Sequence, residues 1–307
     1  MMSKTTTSPK VTGTTTSRLE VIQQDEHAMN TLVDHAGYTV TYALGHSDRE
    51  LERLAVQARL IDPITQRFFR EAGIGPGMRV LDVGSGAGDV AFLARELVGD
   101  TGEVVGVDRV PTAIEAASAR AAARSFRNVT FREGDPGEMS FERPFDAVIG
   151  RYVLQFQENP ATMVRKLAAH VRPGGVVVFH EIDWGGLRSD PPCPTYDQCC
   201  KWGAETLRLH GTEFRMGNKL HATFVAAGLA PPSMRLEALI GGGPKAVDLL
   251  RLVADLIANF LPEMERLGVA TAADVGMDTL LDRMTREASA NSSMIVGHFQ
   301  VGAWSRV

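Results

Sequence analysis

Cysteine is nearly missing: three residues in 307, Cys193, Cys199 and Cys200. Three thiols at this spacing build neither a disulfide framework nor the paired ligand set of a structural zinc site, and they read as reduced thiols of a cytoplasmic protein. Long apolar runs are missing as well. No stretch approaches the roughly 20 residues that a membrane-spanning helix requires. Met1 to Ser17 is rich in Thr, Ser and Lys and has no apolar centre of the kind a signal peptide carries. The expected location is therefore cytoplasmic, with no membrane partner. There is no dense Lys/Arg stripe: 32 basic residues are outnumbered by 37 acidic ones, for a formal net charge of -5. That balance gives a phosphate backbone little to bind, so no nucleic-acid partner is expected. No internal repeat occurs, and no His/Cys/Asp/Glu cluster has convincing metal-ligand spacing, so no metal is expected.

What is present is an alternation. Residues 1–17 cannot bury enough apolar surface to order themselves and read as a tail. Residues 18–74 read as a helical lid region. Its helix, with Leu51, Leu54, Val56, Ala58 and Ile61 among charges, is expected to break or restart at Asp62-Pro63 before Ile64–Ala72. From Gly77 onward, short continuous apolar runs alternate with helical stretches: Arg79–Val83, Glu103–Val107, Val129–Arg132, Phe145–Ile149 and Val176–Ile182 as strands, with helices between most of them. Continuous rather than alternating strands imply cover on both faces, and hence an α/β fold with a doubly wound, mainly parallel sheet. Ligands of such sheets bind at the carboxyl ends of the strands, where the strand order reverses. After Ile182 the rhythm breaks. The expected divisions are a core over 75–183, an insertion over 184–216, core again over 217–243, a helical insertion over 244–291, and a last strand over 292–307. Gly241-Gly242-Gly243-Pro244 reads as a loop, Val247–Leu267 and Asp278–Ala288 as helices.

The chemistry is concentrated in Val80-Leu81-Asp82-Val83-Gly84-Ser85-Gly86-Ala87-Gly88-Asp89, a strand that opens directly into a helix. A dinucleotide fingerprint is spaced G-x-G-x-x-G and faces a pyrophosphate. Here the spacing is G-x-G-x-G, and Asp82 stands before the first glycine. A carboxylate repels a pyrophosphate and attracts an ammonium group, so the loop suits a positively charged ligand, such as the amino-acid end of S-adenosylmethionine. The second strand ends at Asp108, which is placed to accept hydrogen bonds from ribose hydroxyls; a helix N-cap is the alternative use of the same residue. The third ends at Gly134-Asp135-Pro136, where Asp135 is either an acceptor for an adenine amino group or a turn residue.

The segments Val80–Asp89, Val105–Asp108, Gly134–Pro136, Phe145–Gln155 and Leu167–Val178 resemble the ordered motifs of class I S-adenosylmethionine-dependent methyltransferases of the UbiE-like small-molecule type. The resemblance covers about Gly75 to Asp183, with a weaker likeness upstream. It implies a seven-stranded Rossmann-like sheet with an N-terminal lid and an inserted cap. It also implies S-adenosylmethionine as cofactor, held by Gly84, Ser85, Gly86 and Gly88 at the methionine part, Asp108 and Arg109 at the ribose, and Asp135 and Pro136 at the adenine. Asp82 would order the loop or the ammonium, Arg151 would line the methionine end unless it forms a structural ion pair, and Tyr42 and Gln57 would reach the cofactor from the lid.

Methyl transfer from a sulfonium is a direct displacement, needing close in-line placement of the acceptor and, where necessary, a base. The fifth strand ends Phe179-His180-Glu181-Ile182-Asp183-Trp184. His180 and Glu181 are the candidate bases; they point to opposite faces of a continuing strand, so one at most faces the site. Trp184, His210 and Arg215 are candidate contacts to the acceptor. The two insertions read as a cap over a pocket for a bulky apolar, often aromatic, small molecule methylated most readily on oxygen. A homodimer through the cap helices is the alternative use of those insertions. A methyltransferase fold that keeps its cofactor while catalysing a non-methylating reaction is the alternative function.

Overall fold

The structure is a computed structural model and, Met1 apart, describes residues 48–307, with side chains from residue 60 onward. In chain order the principal elements are α1 (Asp48–Glu71), β1 (Arg79–Val83), α2 (Asp89–Val98), β2 (Glu103–Asp108), α3 (Pro111–Ala123), β3 (Val129–Glu133), β4 (Phe145–Arg151), α4 (Pro160–Ala168), β5 (Val171–Asp183), β6 (Arg188–Asp190), α5 (Pro194–His210), α6 (Met216–Ala226), β7 (Ser233–Gly242), α7 (Val247–Leu267), α8 (Ala272–Val275), α9 (Leu280–Ala290) and β8 (Met294–Arg306).

The first five strands run parallel in the spatial order β3-β2-β1-β4-β5, and β8 joins β5 antiparallel. The order reverses between β1 and β4, which places the ligand crevice above the carboxyl ends of that pair. Eight strands occupy seven rows. β5 pairs with residues 299–306 of β8 and β6 with residues 294–296, while β7 pairs with β8 from Trp304 back to Met294. Val296 therefore meets Arg188 on one side and Ile240 on the other, so β6 prolongs the row of β5 and β7 lies on the opposite side of β8.

The continuous apolar strands are explained by two cores. On one face, Phe69 of α1, Ala91 and Ala94 of α2, and Ala121 of α3 pack on Val80, Val104, Ile149 and Val178. On the other, Val164 and Leu167 of α4 and Leu220 and Phe224 of α6 pack on Leu81, Val83, Phe179 and Val301. The helices after β5 share a third core: Tyr196 and Cys199 of α5 meet Leu250, Val253 and Ile257 of α7 and Leu280 and Met284 of α9.

Two local expectations are corrected. Asp62-Pro63 does not interrupt the first helix, which continues through Pro63 to Glu71 because Ile61, Ile64, Phe68 and Phe69 form one buried face. Gly241 and Gly242 belong to β7, paired with Ile295 and Met294, and the chain turns only at Gly243.

Candidate functional site

Gly84 (φ 62°), Gly86 (φ 50°) and Gly88 (φ 90°) all take left-handed backbone conformations. At Gly84 a Cβ would stand 2.8 Å from Val153 Cγ2, and at Gly88 2.8 Å from the Phe131 ring, so side chains are excluded by space as well as by φ. The loop is pinned at both sides. The Ser85 amide donates to the Val107 carbonyl at 3.0 Å, and the Gly86 amide donates to Asp108 Oδ2 at 2.8 Å. Asp108 Oδ1 accepts from the Val110 amide at 3.0 Å, so the same carboxylate also shapes the entry to α3. Asp135 Oδ1 accepts from the Gly137 amide at 2.8 Å, while Oδ2 pairs with Arg109 at 2.5 Å. The ribose and adenine candidates are thus brought together at neighbouring strand tips, with Arg109 committed to Asp135. Buried Pro136 offers its carbonyl to His170 at 3.0 Å.

Beneath the loop lies Asp82, fully buried, and neither carboxylate oxygen has a hydrogen-bond partner. Burial holds its carboxyl well above the ordinary carboxylate range. Arg151 opposes that shift, Asp108 and Asp89 add to it, and the Ala91 amide eases it from outside hydrogen-bonding geometry. The Ser85 hydroxyl is buried and unpaired as well. Bare polar atoms under a bare backbone are what a cradle for a polar, cationic ligand leaves when the ligand is taken away.

Arg151 forms a structural ion pair, one of the two uses expected of it. Its guanidinium pairs with Asp62 of α1 at 2.8 Å and donates to Thr65 Oγ1 at 3.1 Å. From there a chain of hydrogen bonds crosses the sheet end. Thr65 Oγ1 is 3.1 Å from His180 Nδ1, His180 Nε2 is 2.8 Å from Gln300 Oε1, and Gln300 Oε1 accepts from the Tyr152 hydroxyl at 2.5 Å. Since Gln300 Oε1 only accepts, His180 donates from Nε2, while the Thr65 hydroxyl, which also reaches the Ile61 carbonyl at 3.2 Å, meets Nδ1. Burial, with Arg151 as a second cause, lowers the His180 pKa to about 3. Phe68 and Tyr152 close over the ring edge-on. With both nitrogens engaged, His180 ties α1 to β5 and β8.

Glu181, on the opposite face, is held through one of its two carboxylate oxygens. Its Oε1 accepts from the Val153 and Leu154 amides at 2.9 and 2.7 Å. This fixes the turn after β4, whose Val153 is the side chain against Gly84 and whose Tyr152 has a positive φ of 60°. Oε2 is buried and unpaired, and burial raises the pKa to about 7 against the opposing backbone amides.

Of the acceptor candidates, Trp184 is buried, stacked on Phe260 of α7 (6.3 Å, 14°) and edge-on to His298 (4.5 Å). His210 is held near Thr212 and lies 3.9 Å from Glu263, while Arg215 is half exposed, 4.0 Å from Asp183. His298, which no motif signalled, stands where β5 gives way to β6 and where the β7–β8 register shifts between Ala238 and Ile240. Its Nε2 is buried and unpaired, and burial lowers its pKa to about 4. Tyr42 and the side chain of Gln57 lie outside the described residues.

Glycine loop, acidic strand tips and reversed strand order define a Rossmann-like methyltransferase fold. Residues 74–228, just over half of the chain, match the methyltransferase domain family model, and the chain belongs to that family. It is 33% identical over 141 residues to aklanonic acid methyltransferase of Streptomyces sp. (strain C5), covering 46% of this chain and 63% of the relative. It is 33% identical over 196 residues to nocamycin O-methyltransferase of Saccharothrix syringae, covering 62% and 63%. With demethylmenaquinone methyltransferase of Staphylococcus aureus it shares 31% over 134 residues, 43% of this chain and 52% of that one. The chain thus spans between about half and 63% of the length of these relatives. Among solved structures, geranyl diphosphate C-methyltransferase from Streptomyces coelicolor A3(2) superposes with a TM-score of 0.51 at 17% identity, over 90% of each chain. Among the described residues, no helix is long and apolar enough to cross a membrane.

Proposed function

We propose that the chain is an S-adenosylmethionine-dependent methyltransferase acting in the cytoplasm on a small, bulky, aromatic acceptor, with oxygen the atom methylated and no nucleic-acid partner. The observation that carries this reading is Asp82: a fully buried carboxylate without a partner, directly under a glycine loop. An ammonium group above the loop would supply the missing charge, and a pyrophosphate would worsen the deficit. Asp108 and Asp135 at the next two strand tips offer acceptors for ribose hydroxyls and an adenine amino group, in addition to the amides they already hold. The names of the aklanonic acid methyltransferase and nocamycin O-methyltransferase relatives support a small-molecule acceptor, and the second supports oxygen.

When bound, S-adenosylmethionine supplies an electrophilic methyl group on a sulfonium. The residues of this chain hold and orient. Glu181 fixes the Tyr152–Leu154 turn against the loop, the Arg151–His180–Gln300 chain fixes α1, and the Trp184–Phe260 stack offers flat apolar surface to an acceptor. With both nitrogens of His180 engaged, proton removal falls to Glu181, whose Oε2 is unpaired, to His298, the buried imidazole edge-on to Trp184, or to water. Mass spectrometry of hydroxylated polycyclic aromatics incubated with the enzyme and cofactor tests the reading. A methylated acceptor and S-adenosylhomocysteine in equal amounts support it. Binding of the cofactor with neither product formed, across acceptors that bind, removes methyl transfer from it.

A further inference from the structure

β7 is bonded to β8 on one side only, so among the described residues its other edge carries unpaired backbone groups. Natural edge strands are shielded by proline, lysine, bulges or a covering helix. Among the described residues, Ser233 to Ala238 carry no proline or lysine and keep a regular register with β8 that shifts only between Ala238 and Ile240, and the two charged residues of this stretch, Arg235 and Glu237, are held in ion pairs.

The two faces of the strand differ. On one, Arg235 and Glu237 pair with each other at 3.0 Å and with Glu71 and Arg67 of α1. On the other, Met234, Leu236 and Ile240 are 41, 53 and 63% exposed, and Met294, opposite Gly242, continues the stripe. α6 packs on β5 and β8, and among the described residues Met234, Leu236 and Ile240 stay exposed beside it. A row of large apolar side chains on an open edge is a pairing surface.

We propose that β7 pairs antiparallel with β7 of a second copy of this chain, about a two-fold axis at Leu236, to join two sheets into one. The register follows from charge. A two-fold axis normal to the sheet keeps like faces together, so it must pass through a residue. At Arg235 or Glu237 it would set like charges opposite each other. At Ala238 it would run into the shifted register. At Leu236 it sets Arg235 of one copy opposite Glu237 of the other, Leu236 opposite Leu236, and Met234 opposite Ala238, each of which favours pairing. The proposal is independent of the methyltransferase reading and uses a surface other than the cap helices.

Sedimentation analysis of the full chain tests it. The wild type should be a dimer, and Leu236→Lys, an exposed substitution that leaves the fold intact, should be a monomer with an unchanged circular dichroism spectrum and melting temperature. Under mild oxidation Leu236→Cys should form a covalent dimer, because the two side chains meet at the axis, and Met234→Cys should not. A monomeric wild type, whether because the edge stays open or because another segment of the chain covers it, overturns the proposal. So does a Leu236→Lys chain that remains dimeric, or covalent linkage that is equal at the two positions.

Discussion

Asp108 Oδ2 accepts the backbone amide of Gly86 at 2.8 Å, so the acid at the tip of β2 and the glycine loop after β1 form one unit. The carboxylate that would meet a ribose also sets the shape of the loop that would meet the methionine end.

Asp108→Ala removes both functions and should weaken S-adenosylmethionine binding by well over tenfold, a loss of more than about 1.4 kcal/mol by titration calorimetry. Asp108→Asn keeps an acceptor for Gly86 and should lose less. Equal affinity in both variants and the wild type would show that the tip neither touches nor shapes the site.

Arg151 and Asp62 form a pair with side-chain exposures of only 5% and 21%. Breaking one partner strands the other. Arg151→Met should cost about 3 kcal/mol in urea unfolding. Asp62→Asn combined with Arg151→Met should recover much of that, giving a large coupling in the double-mutant cycle. Additive losses would mean that the pair is not a unit.

Much of this was legible beforehand, for physical reasons. Continuous runs such as Val104-Val105-Gly106-Val107 announce strands covered on both faces, and three glycines after Val83 leave few alternatives to a tight strand-to-helix turn. The partner of Arg151 was not legible, because Asp62 lies 89 positions away and their meeting depends on α1 crossing the end of β4. Strand parity separated His180 from Glu181, but parity says nothing of burial, and burial is what drives the His180 pKa down and the Glu181 pKa up. His298 carries no motif. Only the break between β5 and β6 brings it to Trp184.

Glu181 makes stability depend on pH. Its folded pKa, about 7, lies above its ordinary 4.5. A raised carboxyl pKa contributes stability that is fully present below 4.5 and lost as pH rises through 7, at most about 3 kcal/mol here. Glu181→Gln keeps an acceptor for Val153 and Leu154 and does not ionise, so it should gain on the wild type between pH 5 and pH 8 in denaturant unfolding. A constant difference over that range would mean Glu181 titrates normally.

His298 carries an unpaired buried nitrogen that an apolar ring would not. His298→Phe should therefore leave stability unchanged or raise it by about 1 kcal/mol, while turnover of a hydroxylated acceptor falls and cofactor affinity holds. Unaltered turnover would place the acceptor elsewhere.

The most direct test is the proton balance of cofactor binding at pH 6, measured by calorimetry of S-adenosylmethionine in two buffers of different ionisation enthalpy. Burial raises the pKa of Asp82, and a cation arriving above it should lower that pKa, so binding should favour loss of a proton from this site. The wild type should bind and release a proton to the buffer, and Asp82→Asn should bind more weakly with no buffer dependence. Absence of binding, or binding that Asp82→Asn leaves equal in strength and proton balance, would contradict the claim that this rim is built for a cationic nucleoside.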